Sequence, residues 1–319
     1  MKLNDAVEKF IENITVTDKQ TTVIDGAFNN IESKLKDDKS SLSVKEVFLN
    51  GSYVRDTMIR PLDDIDIFAV IDKYDYTDNN ERPNPQSVLT KFKNYLNGLS
   101  DYKDKVSQDR PCVTISLDKI HIDVLPALRE HGILYIPNES LDGWTFTDPI
   151  SHTANLDTVN DNSGGKVKDV VKGVKSWKRQ KDLKIPSFHI EEVAMDIFPY
   201  SMIPNIEEGL RKWFSSAHLY LKKDRFNTSN QYEAAVSAVK KVSALLKEAK
   251  EKVDNQKEAE AVKIWHDIFG KDFPLLSEDD AKRMSSLLSN GGLKYGATTG
   301  LSSITGHAVA ASKGFYGEE

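Results

Sequence analysis

Apolar residues recur at helical spacing from the start of the chain to about residue 36. Val7, Phe10, Ile11 and Ile14 mark one stretch, and Val23, Ile24, Ala27, Phe28, Ile31 and Leu35 the next. The spacing predicts a long amphipathic helix or two, used for packing. After a polar loop at 37–41 the period changes. Val47-Phe48-Leu49 reads as a buried strand, followed by Gly51-Ser52, a short helix, a polar loop and a second strand that ends at Ile71. Residues 72–86 carry two prolines and read as an exposed loop. Val88, Leu89, Phe92, Tyr95, Leu96 and Leu99 then predict a helix over 87–99. Three strands follow, Cys112 to Leu117, Ile120 to Leu125 and Gly132 to Ile136, with Asp118-Lys119 as a tight turn between the first two.

Past residue 150 the pattern is almost wholly helical. Asp148-Pro149 suggests a break and Asn162-Ser163-Gly164-Gly165 a loop. Helices are expected at about 166–180, 187–199, 205–222, 230–253 and 257–269, with Pro186 separating the first two. From Asn290 the chain is rich in Gly, Ser, Thr and Ala, which reads as a flexible tail. The expected class is α+β. A first lobe covers 1–150, a helical lobe 151–290 and a tail 291–319.

Composition narrows the function. Hydrophobic residues are 39% and charged residues 29%, ordinary for a globular protein. The formal net charge is −6, which argues against a stable nucleic-acid partner, because neutralising phosphates needs a basic surface. One cysteine, Cys112, excludes an internal disulfide framework and a multi-cysteine zinc site. No apolar run reaches the length of a membrane span and MKLNDAVEKF is no signal peptide, so no membrane is expected and the cytoplasm is the default compartment.

Two stretches carry chemistry. In Asp64-Ile65-Asp66 strand geometry puts both carboxylates on one face. Two such charges repel unless a cation sits between them, and Mg²⁺, held by carboxylates together with substrate phosphates, is the natural one. Gly51-Ser52 allows close backbone approach, adds a hydroxyl and precedes helical N–H groups that favour an anion. Either feature alone is more often a plain turn or a solvated strand; their succession on consecutive elements is more specific. Asp63 falls on the opposite face. In the second stretch, His121-Ile-Asp123-Val-Leu-Pro, Asp123 projects from an otherwise apolar strand, where a lone buried carboxylate is expensive unless paired or metal-bound. His121 shares that face and is read as structural or solvent-facing. Along 166–180, Lys168, Lys172, Lys175 and Arg179 share a helical face, which for most of them reads as solvated.

The strand, Gly51-Ser52 and Asp64-Ile65-Asp66 succession resembles the DNA polymerase β-like nucleotidyltransferases. Val-Lys175-Ser-Trp177-Lys followed by Ser187-Phe188-His189 resembles the helical lobe of the oligoadenylate synthetase and cyclic GMP-AMP synthase superfamily. The combination looks most like the bacterial cGAS/DncV-like nucleotidyltransferases (CD-NTases) of CBASS anti-phage systems. That resemblance implies a polymerase β-like core, a mixed sheet with flanking helices, completed by the helical lobe. It implies a third catalytic carboxylate, matched by Asp123. It assigns Lys175 and Ser187 to nucleotide phosphates and Phe188 to stacking on a base, alongside Gly51 and Ser52. Animal cyclic GMP-AMP synthase carries a cysteine-rich zinc ribbon, which this chain cannot have.

The expected activity is metal-dependent nucleotidyl transfer from NTP substrates with release of pyrophosphate, giving a cyclic di- or trinucleotide second messenger in antiviral defence. Two Mg²⁺ ions, with Mn²⁺ as a substitute, are expected at Asp64, Asp66 and Asp123, the catalytic and metal residues. An accessory protein of such systems is a candidate partner for the tail. Two competitors remain: a transferase that modifies RNA or a protein, and a catalytically inactive nucleotide-binding regulator or antitoxin.

Overall fold

The computed structural model describes residues 2–275, apart from 63, 78–80, 110 and 119, together with the backbone of three short strands at 294–296, 300–302 and 307–308. Most of the tail read from Asn290, and Asp63, lie outside the described residues. Residues 2–273 form one compact unit.

Its first half is a mixed sheet. β1 (Val44–Asn50) runs antiparallel to β2 (Asp64–Ile71), and β2 runs parallel to β5 (His121–Glu130). Beyond β5 come β4 (Cys112–Ser116) and β3 (Val106–Asp109), both antiparallel to their neighbours. The far end of β5 pairs with β6 (Ile133–Pro137), and β6 with β7 (Trp144–Thr147). The alternation in β2 decides what each face does. Ile65, Ile67, Ala69 and Ile71 are buried in a core shared with two helices, α2 (Asp18–Leu35) and α4 (Pro85–Gly98). Asp64 and Asp66 open the other face, and Phe68 and Val70 continue it into a smaller apolar cluster.

Helix starts follow local chemistry. Thr17 and Gln20 cap α2 reciprocally, the Gln20 N–H reaching the Thr17 hydroxyl and the Thr17 N–H reaching Gln20 Oε1. Asn84 caps α4 ahead of Pro85 at its first position. Between β1 and β2 lies the one-turn α3 (Gly51–Val54).

The second core is helical: α5 (Pro149–Asn162), α6 (Val167–Gln180), α7 (Ser187–Ile197), α8 (Ile206–Ser216), α9 (Ser229–Asp254) and α10 (Glu258–Phe269). Its largest buried side chains include Trp177, Trp213, Trp265, Phe214, Phe269 and Phe273. Trp177 and Phe214 meet edge to face at 4.9 Å.

Three features differ from the sequence expectation. The stretch 1–36 is two helices, as the spacing allowed, but the first, α1 (Leu3–Ile14), packs in the helical core rather than with the sheet. Phe10 lies 5.0 Å from Phe269 and 5.5 Å from Phe273, so a division at 150 does not separate the two cores. The stretch 149–162 is a helix because Asp148 caps it and Pro149 opens it. It buries only Pro149 and Leu156, so it shows no apolar stripe in sequence. Finally, β5 runs through Pro126. Pro126 sits between the β4 pairing at 121–124 on one side and the β6 pairing at 128–130, where a missing N–H disturbs no ladder on that edge. Among the described residues no helix is long and apolar enough to cross a membrane.

Candidate active site

The parallel pairing of β2 with β5 sets the centre. Asp66 lies in register with Asp123 and Asp64 with His121, so the three carboxylates share one face, as the alternation predicts. On the other side of β2, Asn50 is opposite Asp66. The next residue, Gly51, has φ +77, the left-handed region that glycine adopts freely. A Cβ there would overlap the Asp66 carboxylate oxygen and lie 2.7 Å from its Cγ. Gly51 is therefore the residue that lets the turn close over Asp66. The Thr114 hydroxyl on β4, opposite Asp123, donates to Asp123 Oδ1 at 2.6 Å.

Electrostatics reflect this crowding. Burial pushes the Asp66 carboxyl up to about 6, and the neighbouring charges of Asp123 and Asp64 add to it while Arg55 and Lys175 oppose it. The Cys112 thiol is raised to about 12, chiefly by burial and then by Asp123. Among the described residues no three His, Cys, Asp or Glu side chains converge closely enough to hold a metal ion as they stand. The chemistry of the donors nonetheless suits a hard divalent cation: carboxylate oxygens on one face, one of them raised in pKa by burial and then by its carboxylate neighbours.

Two clefts flank the Gly51-Ser52 turn. One of about 460 Å³ is lined by Gly51, Arg55, Asp66, Asp123, His152 and Phe188 among others. The second, about 450 Å³, includes Ser52, Lys175, Lys178, Arg179, Lys184 and Ser187. The neighbours Gly51 and Ser52 thus face different clefts, and so do Phe188 and Ser187. One cleft is acidic with an aromatic wall, the other basic with three hydroxyl residues, Ser52, Thr57 and Ser187. Lys178 on α6 donates to the Ser187 hydroxyl at 2.8 Å.

Of the eight sequence-derived residues, Gly51, Ser52, Asp66, Asp123, Lys175, Ser187 and Phe188 line one of these two clefts, and Asp64 lies two residues before Asp66 on the same face of β2. Lys175 differs in its immediate surroundings. It does not lie on a solvated face. Its ammonium is buried and donates to Glu191 Oε1 at 2.7 Å, Thr57 Oγ1 at 2.8 Å and the Thr57 carbonyl at 3.2 Å. Lys172 is buried too, paired with Asp56 at 2.9 Å.

Sequence reasoning missed the group beneath the site. Glu191 on α7 has no exposed surface and also receives Arg55 Nε at 2.7 Å and the Thr57 hydroxyl at 2.6 Å; His152 Nε2 lies 3.1 Å away. Burial alone would raise the Glu191 carboxyl, but His152, Lys175 and Arg55 outweigh it and hold it well below the usual carboxylate range. A signal was there: Glu191 sits among Ile190, Val193 and Ala194 on the buried face of its helix, and a charge in that position demands partners. The partners could not be named, since Arg55 is 136 residues away.

Residues 1–160 match the Second Messenger Oligonucleotide or Dinucleotide Synthetase domain. The cyclic AMP-AMP-AMP synthase of Acinetobacter sp. is 27% identical over 320 residues, covering 89% of this chain and 90% of that protein. A probable cyclic nucleotide synthase of Bacillus cereus is 24% identical, covering 85% of this chain and 97% of that one. Among solved structures, CdnC of E. coli MS115-1 with ATP superposes at TM-score 0.69 with 18% identity, over 86% of this chain and 99% of that one. The Vibrio cholerae DncV cyclic AMP-GMP synthase with a linear intermediate gives TM-score 0.66 at 14% identity, over 82% and 93%.

Proposed function

Because the chain belongs to the Second Messenger Oligonucleotide or Dinucleotide Synthetase family, we propose that the cleft at the Gly51-Ser52 turn is where it joins nucleotides. Members of this family, CD-NTases, are metal-dependent nucleotidyltransferases that convert NTPs into a cyclic oligonucleotide second messenger and release pyrophosphate. The observation that carries the site assignment is the register of Asp66 with Asp123 on parallel neighbouring strands, with Gly51 closed over Asp66.

In this reading Asp64, Asp66 and Asp123 hold Mg²⁺, two ions with Mn²⁺ as a substitute. The metal would screen the triphosphate and lower the pKa of the attacking hydroxyl. Asp66 and Asp123 place the acceptor ribose hydroxyl and the donor α-phosphorus side by side. The hydroxyl oxygen bonds to phosphorus, the bond to the bridging oxygen breaks, and pyrophosphate departs toward the basic cleft. Asp123 accepts the hydroxyl proton. Ser52 and Ser187 hydrogen-bond the phosphates, and Lys175 and Lys178 supply positive charge. Phe188 offers a flat face to a base, which any nucleobase can use.

The Acinetobacter relative, which matches across most of both chains, supports ATP as a substrate and a cyclic trinucleotide as the product. We further propose a role in antiviral defence, in the cytoplasm where NTPs are available. The accessory-protein partner stays part of the proposal; the E. coli MS115-1 CdnC:HORMA-deltaN complex, at TM-score 0.67 and 18% identity, has this fold.

The test is incubation of purified protein with labelled NTPs and Mg²⁺, followed by phosphatase and chromatography. A phosphatase-resistant product that is lost in Asp64→Asn/Asp66→Asn supports the reading. Equal product from that variant would overturn it.

A further inference from the structure

Beneath the proposed nucleotide site one carboxylate meets groups from three other segments. Glu191 on α7 is bound by Arg55 and Thr57 from the segment after α3, by Lys175 on α6 and by His152 on α5. Its Oε1 accepts from Lys175 and Thr57, and its Oε2 from Arg55. A carboxylate so surrounded has only acceptors to offer, so the His152 Nε2 that faces Oε2 must carry its proton. That contact orients the imidazole.

The ring held in this way has a neighbour. His152 and Phe188 stack with centroids 4.1 Å apart and planes at 28°. The Arg55 guanidinium lies 6.0 Å from the Phe188 centroid, so a second partner of Glu191 also borders this ring. His152 is itself nearly buried, at 10% side-chain exposure, while Phe188 keeps 44% of its surface open. A lone exposed phenylalanine at a helix start would sample several rotamers, and each unwanted rotamer would lower its affinity for a base.

We propose that His152, held by Glu191, is a positioning residue that backs Phe188 and fixes it as the stacking platform for the nucleobase of a bound nucleoside triphosphate. The inference rests on the nucleotide site argued above. His152 touches no substrate in this account; it acts through Phe188. Its effect therefore falls on the base and spares the phosphates, which Ser52, Ser187, Lys175 and Lys178 receive.

This separation supplies the test. Binding of ATP and of tripolyphosphate, each with Mg²⁺, is measured by calorimetry for the full chain and for His152→Ala, Phe188→Ala and the double variant. His152→Ala should weaken ATP about tenfold or more, the scale expected when a binding group loses its position. Tripolyphosphate affinity should not change. The double variant should bind ATP no more weakly than Phe188→Ala, because both changes remove one platform. If His152→Ala does not fold, His152→Gln is read in its place, since its amide keeps an N–H for Glu191 but no ring.

ATP affinity within threefold of wild type in a folded variant overturns the inference, and so does an equal loss of ATP and tripolyphosphate. The outcomes for the synthase reading are separate. Absence of product from a wild type whose ATP binding still depends on His152 removes that reading alone. Unchanged binding in a chain that makes product removes this inference alone.

Discussion

Replacing Gly51 by alanine tests the arrangement most directly. The new Cβ would sit 2.7 Å from Asp66 Cγ and 3.0 Å from Asp66 Cβ, on top of one carboxylate oxygen. Carbon atoms pack comfortably at roughly 3.5–4.0 Å, so the Asp66 carboxylate must retreat by on the order of 1 Å. An alanine at φ +77 adds a backbone penalty of about 1–2 kcal/mol. The two consequences differ in size. Stability should fall by only a few kcal/mol, because the end of the Asp66 side chain can move. Activity should fall about a hundredfold or more, because a misplacement of about 1 Å in a reacting group costs that much. Pyrophosphate release at saturating NTP reports the rate, and a thermal melt reports folding. Gly26→Ala is the control: nothing lies within 4 Å of a Cβ there, and it sits inside α2. It should gain about 0.5–1 kcal/mol of stability with unchanged rate. A folded Gly51→Ala enzyme within threefold of wild-type activity would refute the assignment of Asp66 to the centre.

The remaining expectations concern charge, metal and core. Asp66 titrates near 6 in the folded chain against an ordinary value of 3.8, so between these values the folded state holds the extra proton and loses stability as pH rises. Without divalent cations, wild type should lose roughly 2–3 kcal/mol relative to Asp66→Asn between about pH 4 and pH 6.5; denaturant titrations at both ends that show a constant difference would contradict this. Chelation with EDTA should abolish product formation and added Mg²⁺ should restore it, read by chromatography of the nucleotides. Phe10→Ala, which empties a site against Phe269 and Phe273, should cost about 3–5 kcal/mol in denaturant unfolding while leaving the NTP KM unchanged in the folded fraction.

Much of the centre was legible because strand geometry has a period of two. Asp64 and Asp66 had to share a face whatever the rest of the fold did, and Gly51 preceded them at a distance that suits a turn back onto their strand. Placing Asp123 beside Asp66 needed more, since a parallel pairing across more than fifty residues is not written in local pattern. The resemblance to known nucleotidyltransferases provided it, and the register agrees. What stayed hidden was whatever depended on α5. With only Pro149 and Leu156 buried, that helix has no stripe to read, so His152 could not be placed. The lysines of α6 misled in the opposite direction: spacing suggests a solvated face, yet Lys172 and Lys175 are buried because carboxylates from distant elements meet them.

The placement of α1 bears on how the chain is made. Asn13, near the end of α1, donates to the Asp272 carbonyl across 259 residues of sequence. Ribosomes add about 5–20 residues per second, so that helix waits roughly ten to fifty seconds for its partners to emerge. During that interval Phe10 lacks its ring partners Phe269 and Phe273, while all of the sheet and its two covering helices appear and can pair. The sheet lobe is thus free to fold first, and the helical lobe closes only when nearly the whole of residues 2–273 has been synthesised. Chaperones that bind short apolar segments would find the Phe10 side of α1 available until α10 has emerged.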